Sequence, residues 1–253
     1  MTVRLLAGRA ELQAVESLFG TIWQTEPAAP MMTTELLCAF AVSGNYVAGA
    51  FLGADLVGAS VGFFAPPAEQ TLHSHITGVV PAAAGHSVGL ALKQHQRAWA
   101  LERGATTITW TFDPLVARNA HFNLAKLGAT ATAYLPDFYG PLHDRINGDD
   151  DTDRLLLRWN LLTPAGPVDA GLAREQGATV ALDRSPGGEP VPGPAGGRTV
   201  LVAVPKDIEK LRVTDPERAR QWRVGLRETL TRLLAEGATI TGYDRSGWYV
   251  VTR

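Results

Sequence analysis

Two histidines one residue apart, His73 and His75, stand in a stretch of alternating character. Leu72, Ser74, Ile76 and Gly78 fall on one side of the alternation, and His73, His75 and Thr77 on the other. A β-strand with that period carries both imidazoles on one face. Imidazole titrates near neutral pH, so either ring can take or give a proton during a reaction. The chain continues through Val79, Val80, Pro81 and three alanines into Gly85-His-Ser-Val-Gly89, where a helical pattern begins. A helix start offers unpaired N–H groups and the positive end of a dipole, which together suit a phosphate. Residues 71–93 therefore join titratable side chains on a strand to an anion-ready turn. No third ligand follows at metal spacing, so proton transfer is the better reading than a metal pair. A second reading stays open, in which both histidines are hydrogen-bonded interior groups that shape a pocket.

Other polar residues are weaker candidates. Tyr139, in Asp137-Phe-Tyr-Gly140, can donate a proton or pack its loop. Asp113 precedes Pro114 and suits a turn or cap. His86 can meet a phosphate from its loop or be solvated. His95 lies in a core-facing stripe, and His121 and Asn123 read as exposed or capping residues. Gly148-Asp-Asp-Asp-Thr-Asp153 lacks the ligand spacing and later glutamate of a calcium loop.

The elements that must hold these residues follow from periodicity and punctuation. A strand over 3–6 precedes a helix over 11–23, with Leu12, Val15, Leu18, Phe19 and Ile22 at helical spacing and Pro27 and Pro30 beyond it. Thr33-Thr-Glu35 caps a second helix through about Val42. Strands over 46–52 and 56–64 turn at Gly53-Ala-Asp55. The helix after Ser87 has Val88, Ala91, Leu92, His95 and Trp99 as its buried stripe, with Lys93, Gln94 and Arg97 outside. A strand over 106–112, a helix over 118–127 and strands over 129–134 and 155–161 complete this part. Residues 163–198, rich in Gly, Pro and Ala, read as a connection or a surface excursion. A compact ending follows: a strand over 199–204, one helix opened by a capping box Thr214-Asp-Pro-Glu217, and a hairpin over 239–243 and 248–252.

Composition bounds the function classes. The chain has 253 residues, 45% of them hydrophobic and 19% charged, as in ordinary globular proteins. Its net charge of −2 gives no reason to expect nucleic acid or an anionic membrane as a partner. Cys38 is the only cysteine, which excludes an intramolecular disulfide. No apolar run is long enough for a bilayer, and the first residues lack a signal peptide's apolar core, so a cytoplasmic protein is expected.

The order of elements and a set of motifs resemble the GCN5-related N-acetyltransferase (GNAT) superfamily, in a branch with a C-terminal extension. The motifs are Leu72-His-Ser-His75, Val79-Val-Pro81, Ala91-Leu-Lys93, Trp110-Thr-Phe-Asp-Pro-Leu115, Arg118-Asn-Ala-x-Phe-Asn123, Lys126-Leu-Gly128, Tyr139-Gly140 and Asp153-Arg-Leu155. The resemblance implies an α+β fold with a mixed sheet: a GNAT-like domain over 1–162, the connection over 163–198 and a small α/β extension over 199–253. It implies acetyl-CoA or another acyl-CoA as cosubstrate. Val79 and Val80 would meet pantetheine, and Gly85, His86, Ser87, Val88 and Gly89 the pyrophosphate. Asn119 matches a position that often touches the cofactor. His73 falls where some members carry a glutamate base, with His75 as relay or orienting group and Tyr139 as the nearest substitute acid. In the family signature Gln/Arg-x-x-Gly-x-Gly/Ala, Ala84 replaces the polar residue and Ser87 the middle glycine, and Leu124 stands where the usual acidic tyrosine would.

The implied reaction moves an acetyl or short acyl group to the amine of a small molecule, without nucleic acid or membrane. A degenerate CoA-binding protein, or an enzyme acting on the thioester itself by decarboxylation, are the alternatives. The extension is expected to pack against the GNAT half, extend a sheet or wall the acceptor pocket, and the sequence leaves open whether a homodimer forms through it.

Overall fold

A computed structural model describes residues 1–25, 29–140 and 150–253; Pro27, His143, Gly148 and Asp149 lie outside them. The chain forms two compact units whose boundary falls between Trp110 and Thr111.

In the first unit, β1 (Thr2–Leu5), β2 (Tyr46–Leu52), β3 (Asp55–Phe64) and β4 (Thr71–Val79) form an antiparallel meander, and β5 (Thr107–Phe112) joins β4 in parallel. The helices α1 (Arg9–Trp23) and α2 (Thr34–Val42) cover one face. Leu12, Val15, Leu18, Phe19 and Leu37 pack there against Val47, Ala59, Val61 and Ile76. Thr33 caps α2 as its type suggests, accepting from the Leu36 N–H at 3.3 Å. The helix α3 (Val88–Glu102) covers the other face, where Val88 and Leu92 meet Ala50 and Val57. Gly58 permits that approach, because a Cβ there would stand 3.0 Å from Val88 Cγ1.

One feature of α3 departs from the sequence reading. Lys93, expected in solvent, is only 4% exposed, and Gln96 is fully buried. The buried stripe is centred on Leu92, Gln96 and Trp99 rather than on His95, so Lys93 turns inward. Small residues on the facing strands, Ser60, Gly62 and Ser74, leave room for these polar side chains.

In the second unit, the short helix α4 (Ala117–Ala120) continues as a wider π turn over His121–Lys126. The sheet runs β7 (Arg154–Asn160), β6 (Thr130–Leu135), β11 (Thr239–Asp244), β12 (Trp248–Thr252), β10 (Thr199–Ala203), β8 (Thr179–Arg184) and β9 (Pro190–Pro192). The C-terminal strands thus extend the sheet, with Ile240 of β11 opposite Ala131 of β6. The Gly/Pro-rich segment is not a bare connection. It contains α5 (Ala170–Glu175), β8 and β9, and β8 earns its place by burying Ala181 and Leu182 beside β10. Two helices rather than one follow β10: α6 (Ile208–Thr214) and α7 (Pro216–Ala235). The cap of α7 is accordingly Asp215, whose carboxylate accepts from the Arg218 N–H at 3.1 Å. Thr214 belongs to α6 and donates its hydroxyl back to the Lys210 carbonyl. The stripe Ala219, Trp222, Leu226, Leu230 and Leu233 is buried as its spacing requires. Among the described residues, no helix is long and apolar enough to cross a membrane.

Candidate active site

The alternation along β4 is interrupted at a revealing place. Gly62 pairs with Ser74 and Val61 with Ile76, so His75 is an extra residue with no opposite partner, a β-bulge. His73 and His75 share one side, as alternation alone requires, their ring centroids 6.2 Å apart. The bulge breaks the alternation beyond them, so that Ile76 joins the core under α1 and α2 while Ser74 meets Lys93 of α3. Phe63 lies between β4 and α2, 5.2 Å from the His73 ring, 5.9 Å from that of His75 and stacked on Phe40. His73 Nδ1 is 3.2 Å from Thr109 Oγ1 on β5. When Nδ1 carries the proton and donates it to this oxygen, Nε2 is left with its lone pair, ready to accept. Burial pushes the His73 pKa down to about 4, helped by the nearby charges of His75 and Lys93 when they are protonated. Partial burial lowers His75 as well. Both rings are therefore neutral at physiological pH, which is the form that accepts a proton.

Beyond His73 the two parallel strands part. Their ladder consists of Thr71–Thr107, Leu72–Ile108 and His73–Thr109, and β4 then runs six residues further. The Val80 N–H donates to the Val57 carbonyl at 2.9 Å. In an antiparallel ladder the next residue points its polar groups the other way, so Val79 turns its N–H and carbonyl away from β3. Val80 is already engaged on both sides, since its carbonyl accepts from Ala83 N–H at 3.0 Å.

The turn into α3 is open and exposed from Ala84 to Ser87. Gly85 has φ +86°, and nothing lies within 4 Å of where its Cβ would be. Ser87 also adopts a left-handed conformation, φ +56°, and no side chain caps the helix. The first N–H paired along the helix is that of Ala91, to the Ser87 carbonyl. The N–H groups of Val88, Gly89 and Leu90 thus precede the first helical hydrogen bond and face outward from the helix start.

Lys93 was not foreseen as part of this region. Its ammonium donates to Ser74 Oγ at 2.8 Å and to Gln96 Oε1 at 3.4 Å, and it sits 4.2 Å from the Trp110 ring centre. Ser74 immediately precedes the bulged His75, so this contact fixes the backbone that carries the two histidines. The i, i+3 pairing of Lys93 with Gln96 beside an apolar stripe was the available signal. Burial pushes the Lys93 pKa from 10.5 down to about 7. Between those values the unfolded chain binds the extra proton, so stability rises with pH across that window. Lys93→Met should flatten the rise. The check is the denaturant midpoint of both proteins from pH 7 to 10, and parallel curves would show the lysine to be solvated.

The remaining candidates lie in the second unit. Asn119 is half-buried near the start of α4. Tyr139 is 43% exposed, its hydroxyl 3.1 Å from Thr111 Oγ1 and its ring stacked edge-on with Phe138. Arg154 lies over the Tyr139 ring at 5.3 Å. Leu124 is 1% exposed and part of the core. Asp113 accepts the Leu115 N–H as its turn predicts, but its main partners are the arginines of α6 and α7.

No protein-family model and no curated protein matches this sequence. Solved structures do. A Desulfovibrio desulfuricans protein assigned to the GNAT acetyltransferases superposes over 63% of this chain and 98% of its own, with TM-score 0.52 and 18% identity. The ribosomal-protein-alanine N-acetyltransferase of Brucella melitensis covers 62% of this chain and 98% of its own, with TM-score 0.52 and 16% identity. This is the GNAT fold. The Salmonella typhimurium protein yncA, assigned as an acetyltransferase and solved with its cofactor acetyl-CoA, matches 67% of this chain and 98% of its own at TM-score 0.50 and 18% identity. Each of these three structures is matched almost whole, and each match leaves about a third of this chain uncovered.

Proposed function

We propose that this protein is an acyl-CoA-dependent N-acyltransferase that acetylates or acylates a small-molecule amine. The observation that carries the reading is the parting of β4 from β5 next to an uncapped α3 start. Val79 there turns its N–H and carbonyl away from β3, as an extended amide chain such as pantetheine would require, and the N–H groups of Val88, Gly89 and Leu90 suit a pyrophosphate. Gly85, His86 and Ser87 form the approach to them. Val80 has only the second lone pair of its carbonyl to offer, so Val79 is the stronger pantetheine contact.

In the transfer, the amine lone pair attacks the thioester carbonyl carbon, a new C–N bond forms, and the C–S bond breaks with its electrons on sulfur. The amine's proton goes to His73 Nε2, while Thr109 holds Nδ1 and His75 orients the incoming amine or relays the proton. Asn119 is a cofactor contact by resemblance, and Tyr139 is the candidate donor to the leaving thiolate. A homodimer and a cytoplasmic setting belong to the same reading. The test is calorimetric titration with CoA followed by thiol release from acetyl-CoA with a panel of amines. Absence of CoA binding would sink the proposal.

A second reading has its own observation. The family acid position holds a core leucine, and Ala84 supplies no polar anchor at the turn. CoA binding with neither thiol release from acetyl-CoA and amines nor carbon dioxide release from malonyl-CoA would identify a binding protein. Thiol-independent loss of carbon dioxide from malonyl-CoA would identify a decarboxylase instead.

Ser87 tunes the same turn. A non-glycine residue in the left-handed region costs about 1 kcal/mol, and its side chain stands where the signature places a glycine. Ser87→Gly should tighten CoA binding about fivefold, equivalent to ~1 kcal/mol. Its effect on stability should be small, because relief of strain offsets the added chain entropy. Weaker binding in the variant would mean that the Ser87 hydroxyl itself contacts the phosphate.

A further inference from the structure

The motifs Tyr139-Gly140 and Asp153-Arg-Leu155 meet in the second unit, where the Arg154 guanidinium lies over the Tyr139 ring, 5.3 Å from its centre. Arg154 opens β7 opposite Leu135 of β6 and is 8% exposed. A guanidinium carries five N–H donors and keeps its charge in folded proteins. Here Nη1 donates to the Asp153 carbonyl at 2.9 Å. Nε and Nη2 donate to no described residue, and neither is sealed from solvent. The described aspartates around it bind other donors. Asp113 and Asp150 hold Arg212 and Arg223, Asp151 and Asp153 hold Arg227, and Asp137 accepts from Thr152. Arg154 therefore forms no ion pair among the described residues. Burial pushes its pKa down, with Asp113 and Tyr139 opposing and Arg223 and Arg212 adding to the effect. A buried cation without a counter-charge in contact is costly, and an anion brought by a ligand removes that cost.

The surroundings narrow the ligand. Phe138 and Tyr139 form an edge-on pair of rings beside the guanidinium, both still more than a third exposed. They offer an apolar surface to whatever carries the anion. One free guanidinium suits one unit of negative charge, and its planar fork matches the two oxygens of a carboxylate. A phosphate dianion would call for a second cation, and Arg212 and Arg223 are already engaged by Asp113 and Asp150.

We propose that Arg154 binds a substrate carboxylate, carried by the acceptor amine or by the acyl chain, with the Phe138 and Tyr139 rings against the substrate's apolar part. The inference rests on the acyltransferase reading, in which Tyr139 is the candidate donor to the leaving thiolate, and it names a substrate class that this reading leaves open.

The experiment is calorimetric titration of the full-length protein with phenylacetate and with phenylacetamide, which share a body and differ in charge. Phenylacetate should bind about tenfold tighter. Arg154→Met should erase that preference, and Arg154→Lys, which keeps the charge and loses the fork, should retain part of it. A second titration, with succinyl-CoA and butyryl-CoA, identifies the carrier. Tighter binding of succinyl-CoA that disappears in Arg154→Met places the carboxylate on the acyl chain, and equal binding places it on the acceptor. Equal affinity of the wild-type protein for phenylacetate and its amide would overturn the proposal, as would failure of phenylacetate to bind at millimolar concentration. A preference that survives in Arg154→Met would overturn it as well. Failure of both CoA thioesters to bind would instead sink the acyltransferase reading, with the phenylacetate result still deciding whether Arg154 holds a carboxylate.

Discussion

Thiol release from acetyl-CoA in the presence of an acceptor amine is expected to fall by about 10²- to 10⁴-fold when His73 is replaced by alanine, the span a positioned general base supplies. CoA affinity should be nearly unchanged, because the backbone of Val79 and the start of α3 are untouched. The pH profile makes the prediction sharper. With its pKa pushed down to about 4, His73 is already neutral across the physiological range. An acid limb near the usual imidazole value of 6.5 should therefore be absent, and activity should rise with pH as the acceptor amine loses its proton. A weakly basic imidazole is a cost to proton abstraction, offset by its always being in the accepting form. His75→Ala should leave more residual activity than His73→Ala, because only His73 has its second nitrogen fixed by Thr109. Unchanged thiol release in His73→Ala would refute the base assignment while leaving CoA binding as a separate question.

How far the sequence foretold this geometry depends on whether local or long-range packing decides each feature. The period-two pattern of β4 and the α1 stripe are local, and they placed His73 beside His75 and Leu12 beside Phe19 correctly. The parting of β4 from β5 at His73 is not encoded in either strand alone. The bulge between β3 and β4 is equally hidden, because an inserted residue such as His75 looks like any other in an alternating stretch. Lys93 shows the same limit from the opposite side. A lysine next to an apolar stripe is ordinarily solvated, and only the small residues facing it on β3 and β4 draw it inward. The C-terminal third was harder still. Gly and Pro dominate residues 163–198, yet β8 is held there by β10, a partner about twenty residues away in sequence. Thr214 resembled a cap because Glu217 follows at the right spacing. The undetected helix α6 had already taken it.

Asp113 shows how the extension is fastened to the rest of its unit, and its removal should have the largest effect on stability. The carboxylate is 8% exposed and meets both η nitrogens of Arg223, at 2.9 and 3.0 Å, with Arg212 on the same oxygen as one of them. Asp150 completes a cluster of two carboxylates and two guanidiniums, 2.8 Å from Arg223 and 2.9 Å from Arg212. Beside it the Tyr249 hydroxyl donates to the Pro114 carbonyl at 2.6 Å. Burial alone would push the Asp113 pKa up, but the two arginines outweigh it and hold the carboxyl far below the usual range. Asp113→Asn leaves Arg223, 1% exposed, short of one of its two counter-charges. Breaking a buried pair in this way costs about 3–5 kcal/mol, and urea unfolding should show a loss of that order. The sign of the pH effect is fixed by the same shift. A carboxylate whose folded pKa is depressed stabilises the fold above its unfolded value of 3.8, and that stabilisation drains away as pH falls below it. The wild-type protein should lose stability steeply in acid, and Asp113→Asn should lose less over the same interval. The double variant Asp113→Asn with Arg223→Met separates an anchoring role from general disruption. If the two groups act as a pair, the double loss will be smaller than the sum of the single losses, and strict additivity would mean that each side chain acts alone.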